Sequence, residues 1–183
     1  MDTLLVIDMQ VGTFDAPTPQ HDAEGVVARI NRIASAVRGS GGRVVFVQHD
    51  GPAGDTFEPG SEGWRIIPEL VREPQDCVVN KRACDAFYKT GLKSLLDELR
   101  TRRLLVTGSA TDYCVDTTVR VAASLDYDVT VVRDAHTTAD RPYLDAVTIK
   151  DHHNSVWENL ILPDAKVSVM TTEELLEDLT CRI

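Results

Sequence analysis

Short apolar runs and amphipathic stretches alternate along all 183 residues, and this alternation constrains the possible folds more than any other feature. Leu4 to Ile7 is uninterrupted by polar residues, as in a strand buried on both faces. Val26, Ile30, Ile33 and Val37 then recur at helical spacing, and Gly39-Ser40-Gly41-Gly42 ends that helix. Arg43 to Gln48 reads as a second strand, Cys77 to Val79 as a third, Leu104 to Val106 as a fourth, Val129 to Val132 as a fifth and Val167 to Met170 as a sixth. Between them, Leu92, Leu95, Leu96 and Leu99 form a helical stripe behind Thr90, a cap residue by type. Val115, Val119 and Ala122 mark a further helix, Pro142 to about Leu160 another, and Thr171-x-x-Glu174 is a capping box for the last. Six strands alternating with helices predict an α/β fold, a parallel sheet with helices on both faces. No linker or repeat divides the pattern, so one domain over 1–183 is expected.

Charge removes several function classes. With 19 Lys+Arg against 29 Asp+Glu, the net charge is −10, which disfavours nucleic acid and anionic membrane as partners because both need clustered cations. No apolar run approaches the ~20 residues of a membrane span, and the first residues lack the basic region of a signal peptide. A cytoplasmic location with reduced thiols at Cys77, Cys84, Cys114 and Cys181 is the expectation.

In open parallel sheets the site lies beyond the carboxyl ends of the strands, where strand order reverses. The polar residues there are Asp8, His49 with Asp50, Lys81, the Thr107 to Cys114 turn, and Asp134 with His136. Asp8 ends an apolar strand, where a carboxylate is costly unless paired or working. Cys114 follows a glycine-containing strand-to-helix turn, and a helix N-terminus lowers a thiol pKa from ~8.5 toward ~3.5 to 7.5. A cysteine nucleophile needs a cation, a carboxylate that shuttles a proton, and backbone donors for an oxyanion. Lys81, Asp8 and the amides before Cys114 are of the right types.

Leu5-Val6-Ile7-Asp8-Met9-Gln10, Asn80-Lys81-Arg82, and Thr107-Gly108-Ser109-Ala110-Thr111-Asp112-Tyr113-Cys114-Val115 with Thr118 and Ala122 resemble the isochorismatase-like cysteine hydrolases over essentially the whole chain. The resemblance implies a Rossmann-like three-layer α/β/α fold with strand order 3-2-1-4-5-6, and a catalytic triad of Asp8, Lys81 and Cys114. It also implies a cis peptide between Ser109 and Ala110, an oxyanion hole from the Ala110 and Cys114 amides, and a homodimer or homotetramer.

The subclass turns on departures from the family pattern. Nicotinamidases of the family bind a metal through Asp-x-His and a further His, whereas this chain reads Gln48-His49-Asp50-Gly51, so no metal and no cofactor are expected. Retention of Cys114 favours C–N hydrolysis of a small amide or ureido substrate through a thioester. The alternatives are a nicotinamidase-type deamidase with an atypical metal site, and a thiol redox protein using Cys114, for which no resolving cysteine is apparent. His49 and the aromatics Phe14, Trp64 and Tyr113 flank the motifs and are the candidate substrate contacts, and the 49–63 loop is long enough to cover a site.

Overall fold

The computed structural model describes residues 1–181. Six strands form, the inner ones with runs that are apolar on both faces: β1 (Asp2–Ile7), β2 (Arg43–His49), β3 (Cys77–Lys81), β4 (Arg103–Ser109), β5 (Asp128–Thr137) and β6 (Val167–Met170). They pair in parallel in the order β3-β2-β1-β4-β5-β6, the expected sheet. The helices are α1 (Val11–Phe14), α2 (Ala23–Gly39), α3 (Leu92–Glu98), α4 (Asp116–Ser124), α5 (Ala146–Glu158) and α6 (Thr172–Cys181).

Period-two geometry splits each inner strand between two cores. Leu5 and Ile7 of β1 and Leu104 and Val106 of β4 pack with Leu92 and Leu96 of α3, Val119 and Ala122 of α4, and Trp157 of α5. Leu4, Val6 and Leu105 face Val26, Ile30, Ile33 and Val37 of α2 and Leu175 and Leu179 of α6. Helices thus cover both faces, giving three layers. Each fully buried aliphatic side chain contributes about 1.5–3 kcal/mol of burial before chain entropy is counted. No helix among the described residues is long and apolar enough to cross a membrane.

Several strand ends lie beyond the apolar runs. β4 continues through Thr107-Gly108-Ser109 and β5 to Thr137, because Gly108 and Ser109 pair with His136 and Thr137 across a register shift. Polar residues can occupy these positions because the backbone ladder there is satisfied. Gly108 has a φ of +116°, and a Cβ on it would lie 2.2 Å from the Ile7 carbonyl oxygen, so only glycine fits between β4 and β1 here. Pro142 does not open α5. Asp145 does, its side chain accepting the Thr148 amide at 2.7 Å. The capping box forms at α6: Glu174 N–H donates to Thr171 Oγ1 at 3.2 Å, and Thr171 N–H to Glu174 Oε2 at 2.7 Å.

Candidate active site

Three strand ends converge at the order reversal between β1 and β4. Asp8 follows β1 with a left-handed φ of 48°, a conformation Asp tolerates better than most residues; its amide donates to the Val47 carbonyl at 2.8 Å. Lys81 is the last residue of β3, registered against His49 of β2, and its side chain crosses beyond the β2 end toward β1. Cys114 lies in one π-helical turn, Thr111–Val115, between β4 and α4. The peptide between Ser109 and Ala110 is cis.

The three side chains meet. Lys81 Nζ lies 2.6 Å from Asp8 Oδ2 and donates to Cys114 Sγ at 3.2 Å and to the Ala83 carbonyl at 2.9 Å. The Lys81 side chain is 0% exposed and that of Asp8 10%, so the ion pair works in a low dielectric where it is strong and where breaking it is costly. Asp8 Oδ1 is buried with no hydrogen-bond partner among the described residues, an unused acceptor beside the thiol.

Burial pushes the Asp8 carboxyl above its ordinary range, against the opposing pull of Lys81. For Lys81, burial alone would lower the ammonium pKa; Asp8 and Cys114 outweigh it and hold it raised. Burial first, and the Asp8 carboxylate second, drive the Cys114 thiol well above the usual thiol range, with Lys81 opposing. This reverses the depressed thiol pKa expected from the helix N-terminus: Cys114 sits inside a π turn, and desolvation with an adjacent carboxylate exceeds the helix-end effect. Burial thus keeps the Cys114 thiol neutral, beside Asp8 and Lys81 in direct contact at 2.6 Å.

A cavity of about 610 Å³ opens above these groups, within the usual range for small-ligand sites. Asp8, His49, Ala110, Tyr113 and Cys114 line it, as do Phe57, Arg82, Cys84 and Arg141, which the sequence reading did not select. His49 meets Phe57 edge to face at 5.9 Å, so the 49–63 loop does contribute a wall. Burial, then Lys81, hold the His49 pKa below its ordinary value, and the ring is neutral at pH 7. Arg141 stacks 4.9 Å above the Tyr113 ring while its Nε and Nη2 donate to the Asp112 carboxylate at 2.8 and 3.0 Å. No local pattern in the sequence announces that pair, whose members lie on separate turns.

Phe14 and Trp64 are not walls of this cavity. Phe14 ends α1 and packs against the core on the α2 side. The Trp64 indole donates to Asp50 Oδ1 at 2.8 Å, and the residue faces a different depression, with Gln48 and Asn80. Flanking a motif in sequence does not decide which way a ring turns. Gln10 carries an unforeseen structural duty. It is 0% exposed and clamps the site floor, donating to the His49 and Trp64 carbonyls at 3.0 and 2.8 Å and accepting the His49 amide at 2.8 Å.

Among the described residues, no group of three or more His, Cys, Asp or Glu side chains is arranged to hold a metal ion. His136 is fully buried, between Thr111 Oγ1 at 2.8 Å and Asn154 Oδ1 at 3.1 Å, so it braces the Cys114 turn from behind. Burial lowers its pKa to about 3.

The sequence pattern of the isochorismatase domain matches residues 2–174. An uncharacterised isochorismatase family protein, YrdC of Bacillus subtilis (strain 168), is 26% identical over 182 residues, covering 96% of this chain and 94% of that protein. The ureidoacrylate amidohydrolase RutB of Variovorax paradoxus (strain S110) is 30% identical over 168 residues, 72% of this chain and 67% of RutB. The crystal structure of an isochorismatase from Pseudomonas putida KT2440 superposes with a TM-score of 0.84 at 30% identity, covering 94% of this chain and 89% of that one.

Proposed function

The chain belongs to the isochorismatase family, and from that premise we propose that it is a cysteine hydrolase cleaving the C–N bond of a small amide or ureido compound through a thioester on Cys114. One observation carries this reading: Lys81 Nζ bridges Asp8 Oδ2 at 2.6 Å and Cys114 Sγ at 3.2 Å in a buried site where Asp8 Oδ1 has no hydrogen-bond partner among the described residues. The 30% identity to a ureidoacrylate amidohydrolase supports the substrate class.

The steps follow from the charges. Asp8 takes the Cys114 proton as Sγ attacks the carbonyl carbon, which avoids a standing thiolate in a site that disfavours one. Lys81 offsets the negative charge as it passes between carboxylate and sulfur. The amides of Ala110 and Cys114 receive the oxyanion. The C–N bond then breaks and Asp8 returns the proton to the leaving nitrogen. Water attacks the thioester, giving its proton to Asp8, and the departing sulfur recovers it as the free thiol. His49, Tyr113 and Phe57 would contact the substrate. The enzyme would act on a free small molecule without a cofactor, in the cytoplasm, as a homodimer or homotetramer. Ammonia release across a panel of small amides and ureido compounds tests this; a panel that yields none, or a Cys114→Ala protein as active as the parent, refutes it.

A second reading draws on one observation. Cys84 shares the cavity wall with Cys114, so a resolving thiol for redox chemistry is nearer than the sequence suggested. Peroxide would convert the two thiols to a disulfide and two waters. The raised Cys114 pKa disfavours it, since the thiolate is the reactive form; a Cys84–Cys114 peptide after peroxide treatment would favour it.

A further inference from the structure

The charged groups on the cavity wall pair off, leaving one over. Asp8 is neutralised by Lys81 at 2.6 Å and Arg141 by Asp112 at 2.8 Å, while His49 carries no charge at neutral pH. Arg82 is exposed on the same wall, and among the described residues it makes no hydrogen bond, ion pair or ring contact. Other basic side chains among the described residues, Arg43, Arg72, Arg100 and Arg102 for example, also lack an ion pair; what sets Arg82 apart is that it stands on the wall of the reactive cavity, where a guanidinium left over can serve a ligand.

Its position also fits. Arg82 directly follows Lys81, whose Nζ holds both Asp8 and Cys114, and the next residue, Ala83, supplies the carbonyl that Lys81 binds at 2.9 Å. The segment from 81 to 83 is therefore anchored at the reacting groups, and Arg82 stands within a side chain's reach of them. The rest of the wall, with Phe57, Ala16 and Tyr113, offers apolar surface. A small substrate reaching from Cys114 across the cavity would set its far end against Arg82, whose charge has no counter-ion among the described residues, and a planar guanidinium matches a carboxylate through paired N–H donors.

We propose that Arg82 is a specificity-determining residue that selects substrates whose amide or ureido group is carried on a small carboxylate. This rests on the hydrolase reading for the orientation of the substrate and deepens it by assigning the substrate a negative charge. The cavity is electrostatically complementary to a monoanion with its cleavable group at the sulfur end and its carboxylate at the Arg82 end. Neutral amides of the same length leave the guanidinium without a partner and gain nothing from it.

Binding is measured apart from turnover, so the two readings fail separately. Cys114→Ala protein is titrated calorimetrically with succinamate and with succinamide, which share a skeleton and differ in one charge, and with the matched pair 3-ureidopropionate and 3-ureidopropionamide. The titrations are repeated with Arg82→Gln and with Arg82→Lys in the same background. The acid should bind at least about 10-fold tighter than its amide in one pair or both. Arg82→Gln should shrink that ratio by about 10- to 100-fold, the range for a hydrogen bond to a charged group, and Arg82→Lys should restore part of it. A ratio near one with Arg82 present, a ratio unmoved by Arg82→Gln, or no binding of any of the four compounds to the folded protein overturns the assignment. Ammonia release by the cysteine-intact enzyme is scored separately: its absence counts against the hydrolase reading alone and leaves the binding ratio to decide the role of Arg82.

Discussion

Replacing Lys81 with Met removes the ammonium from the site and leaves a side chain of similar length. The change deletes the contacts to Asp8 Oδ2 at 2.6 Å, to the Ala83 carbonyl at 2.9 Å and to Cys114 Sγ at 3.2 Å. It leaves a carboxylate whose side chain is 10% exposed without its counter-charge. Removing one member of a buried pair typically costs about 3–5 kcal/mol, and Asp8→Asn, which strands the ammonium instead, should cost a comparable amount. The double variant Asp8→Asn/Lys81→Met has neither orphan, so it should fall short of the sum of the singles by about 2 kcal/mol or more. Urea unfolding at pH 7.5, followed by tryptophan fluorescence and far-UV circular dichroism, reads this directly. With m of about 2 kcal/mol/M, each single variant lowers the midpoint by about 1.5–2.5 M. The sign with pH is also set. Burial raises the folded-state Asp8 pKa, and losing Lys81 raises it further, so the Asp8 contribution is fully present below the unfolded value and lost as pH rises through the folded one. Lys81→Met should therefore regain ground on the parent as pH falls toward 4. Strict additivity in the cycle, or single variants within about 0.5 kcal/mol of the parent, would refute the reasoning.

Other outcomes follow from single features of the structure. Because burial and Asp8 raise the Cys114 thiol pKa, iodoacetamide should label exposed Cys84 before Cys114 at pH 7; Asp8→Asn should speed Cys114 labelling and Lys81→Met should slow it, as read by peptide mass. His136, with a pKa lowered to about 3, contributes stability that is present above its unfolded value near 6.5 and lost as pH falls toward the folded one, with a limiting slope of about 1.4 kcal/mol per pH unit. His136→Gln should flatten the acid limb of the stability curve between pH 6 and 4, and an unchanged slope would acquit the histidine. Gly108→Ala drives a Cβ to 2.2 Å from the Ile7 carbonyl and should cost at least about 3 kcal/mol by overpacking and strained φ; a urea midpoint equal to the parent's would contradict this. Exhaustive chelation should leave turnover intact, and a rate restored only by added zinc or manganese would count against the proposed mechanism.

Strand identity was readable in the sequence wherever a run such as Leu4–Ile7 or Val167–Met170 is apolar, because burial on both faces leaves that mark. Strand length was not. Thr107 to Ser109 and, at the end of β5, His136 and Thr137 are held by ladder pairing with neighbours distant in sequence, a property that hydropathy does not encode. Asp8, Lys81 and Cys114 could be proposed together because parallel topology delivers strand ends to one edge. The cavity wall was less accessible. Phe57 arrives on a long loop, Arg141 is aimed by Asp112 on another turn, and Phe14 and Trp64 rotate away for packing and for the Asp50 hydrogen bond. The direction of the Cys114 pKa is not legible in the sequence, because a helix end shows there, whereas the desolvation around the thiol and the nearness of Asp8 emerge only on folding.

The central claim is a covalent one, and rapid-quench mass spectrometry reads it without intermediaries. Enzyme mixed with a hydrolysed amide is quenched in acid within the first turnovers, digested and mapped. The account predicts a transient adduct on the peptide containing Cys114, its mass equal to the substrate less the departing amine or ammonia, absent from Cys114→Ala protein, which also releases no product. Steady turnover with no adduct on Cys114, together with product release undiminished in Cys114→Ala, would contradict it.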